Sequence, residues 1–286
     1  VSPCTIDDPP GSGKRTLSLA ARGAITTAMH PESAPEDGVV HETSAQIPSI
    51  QPMFLFADSQ ILFYRDEEGP FLRRAIEGLE KPPHQLAAAY LGASNGDVPD
   101  YYEIFVGAME GIGVGTCRMI PSSPSDEDRS FLDRADLILL AGGDIERGWK
   151  VFRETGLDRA ILARYGAGAV LLGISAGAVQ LGQRGFTEGG RDPFETFQLV
   201  PMVIDVHDEP DWSRLAAVVK GLPDFGRGMG IPLGGGAIVH ADLSVEPVRK
   251  QLLELSLIEG ELRTALLVPG VAVPGAAEPG AAEPSA

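Results

Sequence analysis

Gly168–Gly182 reads GAVLLGISAGAVQLG, and its reading decides the fold. Ala169–Leu172 is apolar without polar alternation, which suits a strand buried on both faces. The run ends at Gly173-Ile174-Ser175-Ala176-Gly177, and the small residues of Ala176–Leu181 then predict a helix. A strand turning sharply into a helix through G-x-S-x-G is a nucleophile elbow. The serine at its tip sits on strained backbone, and glycines two positions to either side relieve the crowding. The helix that starts there points its free N–H groups and positive dipole end at any oxyanion forming beside Ser175.

Strands and helices alternate on both sides of this elbow. Met53–Ala57 (MFLFA) is an apolar run followed by a helical pattern over Gly69–Leu79. Gln85–Leu91 predicts a strand arriving at a Gly-Ala-Ser-Asn-Gly-Asp loop. Asp100–Glu110 predicts a helix with Tyr101, Ile104, Phe105 and Ala108 on one stripe. Cys117–Ile120 and Leu137–Leu140 are further strands, the second ending in Ala-Gly-Gly-Asp. Helical patterns then run through Trp149, Val151 and Phe152 and over Leu157–Tyr165. Beyond the elbow come a strand at Val203–Val206, a helix at Trp212–Val219 and a strand at Ala237–Val239. This order argues for a mainly parallel sheet covered on both faces, with reactive groups in loops at the carboxyl ends of its strands.

The two ends read differently. Residues 1–48 are rich in Pro, Gly, Ser, Thr and acids and predict a mobile extension, with a short helix around Leu17–Thr27. GSGK at Gly11–Lys14 is no phosphate loop, since the required first glycine falls on Asp8 and no strand precedes it. Residues 268–286 close in PGAAEPGAAEP and predict a low-complexity tail. One α/β domain over 49–267 is expected between them.

Composition narrows the function. Forty acidic against 23 basic side chains leave a net charge of −17, which repels nucleic acid and anionic membrane surfaces. Cys4 and Cys117 form neither a disulfide framework nor a metal-ligand spacing, so neither metal nor cofactor is expected. No apolar run reaches the ~18 residues of a membrane span. The start lacks the order of a secretory signal, and the expected location is cytoplasmic.

A nucleophilic serine needs a base, and the chain has five histidines. His30 and His41 fall in the extension. His84 opens a strand, at the wrong end of the sheet, and His240 ends one. His207 follows Val203–Val206 directly, where a carboxyl-end loop can meet the elbow, and is the expected base. Glu188, Asp192 and Glu195 lie between nucleophile and base as candidates for the acid that orients the imidazole, with Glu188 preferred. Asp205 shares a strand with His207 and faces the same side. Gly142-Gly143-Asp144 can supply a second oxyanion N–H, and Asp144 also suits a helix N-cap. Arg147, Arg184 and Arg191 are candidates to neutralise a substrate carboxylate.

Taken together, LILLAGGD, GAVLLGISAGAVQLG, VPMVIDVH and the upstream LGASNGDVPDYYEIF resemble the peptidase E and cyanophycinase family of serine peptidases. The resemblance runs from about Met53 to about Val239. It implies a three-layer α/β sandwich of the class I glutamine amidotransferase type (flavodoxin-like). It also implies a Ser–His–acid hydrolase that cleaves bonds next to aspartyl or β-aspartyl residues in a small peptide or peptide-like substrate, and it allows a homodimer. Ser175 falls on the nucleophile, His207 on the base, and Gly143 with Ala176 on the oxyanion amides. Asp205 falls on an acid that helps bind substrate in cyanophycinases. The chain departs from the cyanophycinase pattern at Ile145, where those enzymes carry Gln, and after His207, where one Arg at position 214 replaces a run of arginines. It also lacks the acidic residue typical of the Gly230–Ala237 region. These departures leave two alternatives: an acyl-transfer or tailoring hydrolase acting on a special peptide, and a non-catalytic binding protein of the same fold.

Overall fold

The strand Val170–Ile174 sits in the middle of a seven-stranded sheet because all five of its residues are buried and both faces must be covered. The computed structural model describes residues 50–187, 192–207 and 211–270. The extension at 1–48 with its predicted helix, His30, His41, Cys4, Glu188, Arg191 and nearly all of the 268–286 tail lie outside the described residues.

The sheet order is Val245–Val248, Gly236–Val239, Met53–Phe56, Val170–Ile174, Leu137–Leu140, Ala87–Leu91, Thr116–Ile120. The last five strands run parallel, and the first two join antiparallel at one edge. Register aligns their ends: Phe56 pairs with Ile174, Gly173 with Leu140, and Leu140 with Leu91. The loops after these four strands therefore open along one rim.

Alternate residues of each strand feed two cores. Met53, Leu55, Leu91, Ile138, Leu140 and Leu171 face the helices Ile145–Thr155, Leu157–Gly166 and Ala176–Leu181. Phe54, Phe56, Tyr90, Leu139, Leu172 and Ile174 face the helix Pro99–Gly111 and two short 3-10 turns. Each such side chain contributes about 1.5–3 kcal/mol on burial, which is why uninterrupted apolar runs make the strands. The fold is α/β with a mainly parallel central sheet, as expected. The parity of the pleat also bears on which way Ser175 turns. Ile174 belongs to the second face, so Ser175 is directed to the first.

Three expectations need correction. Gly69–Leu79 forms a 3-10 turn over Phe71–Ala75, because Gly69-Pro70 is taken up as the second strand of a small hairpin and leaves only a short segment to turn before Gly78. On Pro99–Gly111 the buried stripe is Phe105, Ala108 and Met109, while Tyr101 and Ile104 stay 52% and 37% exposed. The Val203–Val206 strand belongs to a second sheet, ordered Val203–Val206, Arg227–Ile231, Leu252–Ile258, Glu261–Leu267. Both of its faces feed the first core, with Ile204, Met229 and Leu252 on one and Leu255 on the other. The helix Ser213–Lys220 packs Leu215, Val218 and Val219 into the same core. One helix escaped the sequence reading: Asp126–Leu132 is mostly polar and is held by a capping box between Ser125 and Asp128.

Candidate active site

Ser175 is the residue between strand and helix, with φ 49° and ψ −110°. Such backbone costs a non-glycine residue about 1–3 kcal/mol and persists only where its surroundings over-determine it. They do so here. The Ser175 N–H donates to the Phe56 carbonyl at 2.9 Å, and the Ser175 carbonyl accepts from the Val179 N–H at 3.1 Å. A Cβ on Gly177 would stand 2.1 Å from the Leu140 carbonyl oxygen, and one on Gly173 would stand 2.7 Å from the Gly177 backbone. The serine side chain caps none of the helix N–H groups, which leaves its hydroxyl to face the cleft.

The turn after Leu137–Leu140 lies against this elbow. A Cβ on Gly142 would meet the Ser175 Cβ at 3.2 Å. Gly143 has φ 131° and passes so close to the Ser94 carbonyl that a Cβ would stand 2.3 Å from that oxygen. The Gly143 N–H has no acceptor among the described residues, and Ala176 opens a helix, where the first N–H groups lack intrahelical partners. Asp144 caps the helix Ile145–Thr155 by accepting the Arg147 N–H at 2.8 Å, while its own N–H goes to the Ser94 carbonyl at 2.9 Å. Sequence reasoning missed Gln180, which is fully buried one turn into the elbow helix. Its Nε2 donates to the Ile145 carbonyl at 2.9 Å and to Ser94 Oγ at 3.2 Å, tying elbow, glycine turn and the Ser94 loop together. A glutamine amid small apolar residues was the available signal.

His207 arrives from the second sheet. Gly182 closes the elbow helix by packing directly on Met202 and Ile204, and the Gln183 N–H donates to the Met202 carbonyl at 2.8 Å. This contact carries the end of Val203–Val206 to the rim where Ser175 stands. Ser175, Ala176, Gly143, Asp144, Glu146, Asp205, His207 and Arg214 line one cleft of about 560 Å³. His207 is exposed, has φ 62°, and its N–H donates to the Ile231 carbonyl at 3.4 Å.

Asp205 is 1% exposed and is held by Arg214, whose Nη2 reaches Oδ1 at 2.6 Å and whose Nε reaches Oδ2 at 3.0 Å. The Val206 N–H donates to the same carboxylate at 2.8 Å. Arg214 also lies over the Phe186 ring at 5.4 Å. No periodic signal links two residues nine apart on a strand and a helix, so this pair was not legible in the sequence.

The remaining sequence candidates are placed as follows. Asp192 and Glu195 are exposed and do not line the cleft, and Glu195 lines a separate cavity with Arg184. Arg147 reaches toward Gly96 and not into the cleft. Glu188, the preferred acid, and Arg191 lie outside the described residues. Burial pushes the Cys117 thiol up to about 11, which keeps it protonated and unreactive at neutral pH. No cluster of metal-ligating side chains occurs among the described residues, and none of their helices is long and apolar enough to cross a membrane.

A serine elbow on the carboxyl rim of a mainly parallel α/β sheet, with a histidine lining the same cleft, is the arrangement of a protein class built for nucleophilic chemistry. Residues 81–238, just over half of the chain, match Peptidase family S51, and the chain belongs to that family. A relative in Bacillus subtilis (strain 168), described as "Uncharacterized peptidase YgaJ", is 30% identical over 110 residues, which cover 36% of this chain and 46% of the relative. The matched region thus spans about half the length of that curated relative. The solved structure of a peptidase from an acI-B1 Actinobacterium superposes with a TM-score of 0.56 at 18% identity, covering 79% of this chain and 97% of that one. At that identity the likeness concerns the fold.

Proposed function

We propose that the chain is a serine peptidase that hydrolyses short peptides at a bond next to an aspartyl or β-aspartyl residue. The observation that carries this reading is the shared cleft: Ser175 on strained elbow backbone, His207 from the second sheet, and the amides of Gly143 and Ala176 all line it. Ser175 Oγ attacks the scissile carbonyl carbon while His207 takes its proton. The carbonyl π pair becomes an oxyanion facing the two N–H groups. When the tetrahedral intermediate collapses, the C–N bond breaks and His207 returns the proton to the leaving amine. Water then attacks the acyl-serine by the same route, releasing the acid and restoring the hydroxyl. Glu188 is the acid proposed to steady the imidazolium.

The cleft's described lining also bears on the substrate. Arg214 is its one Lys or Arg among the described residues, so Arg214, while still paired with Asp205, is proposed in place of Arg147 to meet the aspartyl carboxylate. Asp144 and Glu146 supply negative charge for a free substrate amino group. The test is labelling of Ser175 by a fluorophosphonate, with hydrolysis of Asp-Xaa dipeptides abolished in His207→Ala. A folded protein that neither labels nor hydrolyses overturns the proposal.

A further inference from the structure

On the other side of the Gly142–Gly143 turn lies a second pocket, of about 190 Å³. Its walls are Leu62, Tyr101, Ile104, Phe105 and Ile174, and Gly143 lines both this pocket and the cleft that holds Ser175. The turn proposed to bind the oxyanion is therefore a wall common to both. Gly142, which also lines this pocket, lies against Ser175, since a Cβ on it would stand 3.2 Å from the Ser175 Cβ.

Three observations fit a ligand subsite better than a packing gap. Tyr101 and Ile104 lie on a helix that buries Phe105, Ala108 and Met109 and partly buries Tyr102 and Val106, yet they remain 52% and 37% exposed at the mouth. An apolar rim kept open to water, leading into an apolar pocket, is the usual form of a small-ligand site. The volume falls below the ~300–1,000 Å³ typical of a whole small ligand and suits one side chain. At the floor, Tyr90 Oη accepts a hydrogen bond from Asn95 Nδ2 at 2.8 Å, so its own hydroxyl proton is available to a guest. Burial pushes Tyr90 up to about 12, which keeps that proton in place at any working pH.

We propose that this pocket is a second substrate subsite, taking the apolar or aromatic side chain of the residue joined to the aspartyl residue by the scissile bond. The assignment rests on the peptidase reading above. The cleft beside His207 offers charge, from Arg214, Asp144 and Glu146, for the aspartyl residue. The pocket across the glycine turn offers none of these and receives its neighbour. Selectivity then comes from both sides of the bond: charge on one, apolar burial on the other.

The experiment compares kcat/KM for Asp-Gly, Asp-Leu, Asp-Phe and Asp-Lys in the full chain and in Ile104→Glu, whose half-open position tolerates the change. The native chain should favour Asp-Leu and Asp-Phe over Asp-Gly by at least about tenfold. In Ile104→Glu the Asp-Phe to Asp-Gly ratio should shrink to about threefold or less, with Asp-Lys gaining on Asp-Gly. A native ratio near one, or a ratio unmoved by the variant, overturns the subsite. If the native chain cleaves none of the four and Ser175 resists a fluorophosphonate, the peptidase reading falls separately. Dipeptide binding to Ser175→Ala then decides the subsite alone. Asp-Phe bound at least about tenfold more tightly than Asp-Gly, with the gap lost on adding Ile104→Glu, upholds it. Equal affinities, or no binding, overturn it.

Discussion

The two sheets position the proposed catalytic residues by different means. Ser175 belongs to the seven-stranded sheet and is set by its immediate chain neighbours: a buried strand before it, glycines at 173 and 177, and a helix after it. His207 belongs to the four-stranded sheet and is set by distant groups. Asp205 beside it is buried against Arg214, and Ile204 is pressed on Gly182 at the end of the elbow helix. One residue is held by local crowding, the other by an ion pair and an interface between sheets. Local crowding survives most distant changes, whereas an interface can be loosened by many of them.

The largest expected effect is chemical and treats the two residues alike. Ser175→Ala and His207→Ala should each lower kcat by about 10,000-fold or more on a cleavable dipeptide while leaving thermal melting near the native value. Unequal losses would show that the two do not act as a unit.

The next pair of changes separates the sheets. Gly177→Ala drives a Cβ into the Leu140 carbonyl and should cost about 3 kcal/mol by urea unfolding, with fluorophosphonate labelling lost as well. Arg214→Met leaves Asp205 buried without its cation and should cost about 3 kcal/mol. Here labelling of Ser175 should slow but persist, because the elbow remains intact. Hydrogen exchange should locate the loosening in Val203–Val206 and Arg227–Ile231, and protection lost across Val170–Ile174 would contradict the division.

A smaller effect is expected at Gln180. Gln180→Leu removes the link from the elbow helix to Ile145 and Ser94 and should lower kcat by about tenfold, with KM changed much less. If KM rose and kcat held, Gln180 would serve binding and not the oxyanion turn.

The smallest is a pH effect at the antiparallel edge, away from the cleft. Arg74 bonds both oxygens of Glu246 and holds its carboxyl below the usual carboxylate range. A depressed carboxylate adds stability above its ordinary pKa and loses it as pH falls through the lowered value. For this half-exposed pair the contribution is about 1 kcal/mol or less. The stability difference between native protein and Arg74→Met should therefore be present at pH 7 and shrink on acidification.

Much of this architecture could be read from residue order. The strands Met53–Phe56, Ala87–Leu91, Leu137–Leu140 and Val170–Ile174 follow from apolar runs, the last three ending at glycine-containing turns that include the elbow itself. The stripe on Pro99–Gly111 could not be read correctly. Tyr101 and Ile104 have the spacing of core residues, yet the helix turns Phe105, Ala108 and Met109 inward and leaves those two at a pocket mouth. Periodicity reports an apolar face and not what covers it. The Arg214–Asp205 pair had no local pattern to betray it.

Chain order alone therefore determined the central parallel sheet and the serine elbow, because each depends on hydrophobic run length and glycine placement. Only the tertiary structure decided that Val203–Val206 joins a separate sheet, that Arg214 is committed to Asp205, and that an apolar pocket backs the glycine turn. Those outcomes arise from pairings between residues far apart in the chain. Their energies come from burial and charge contacts that no local spacing encodes.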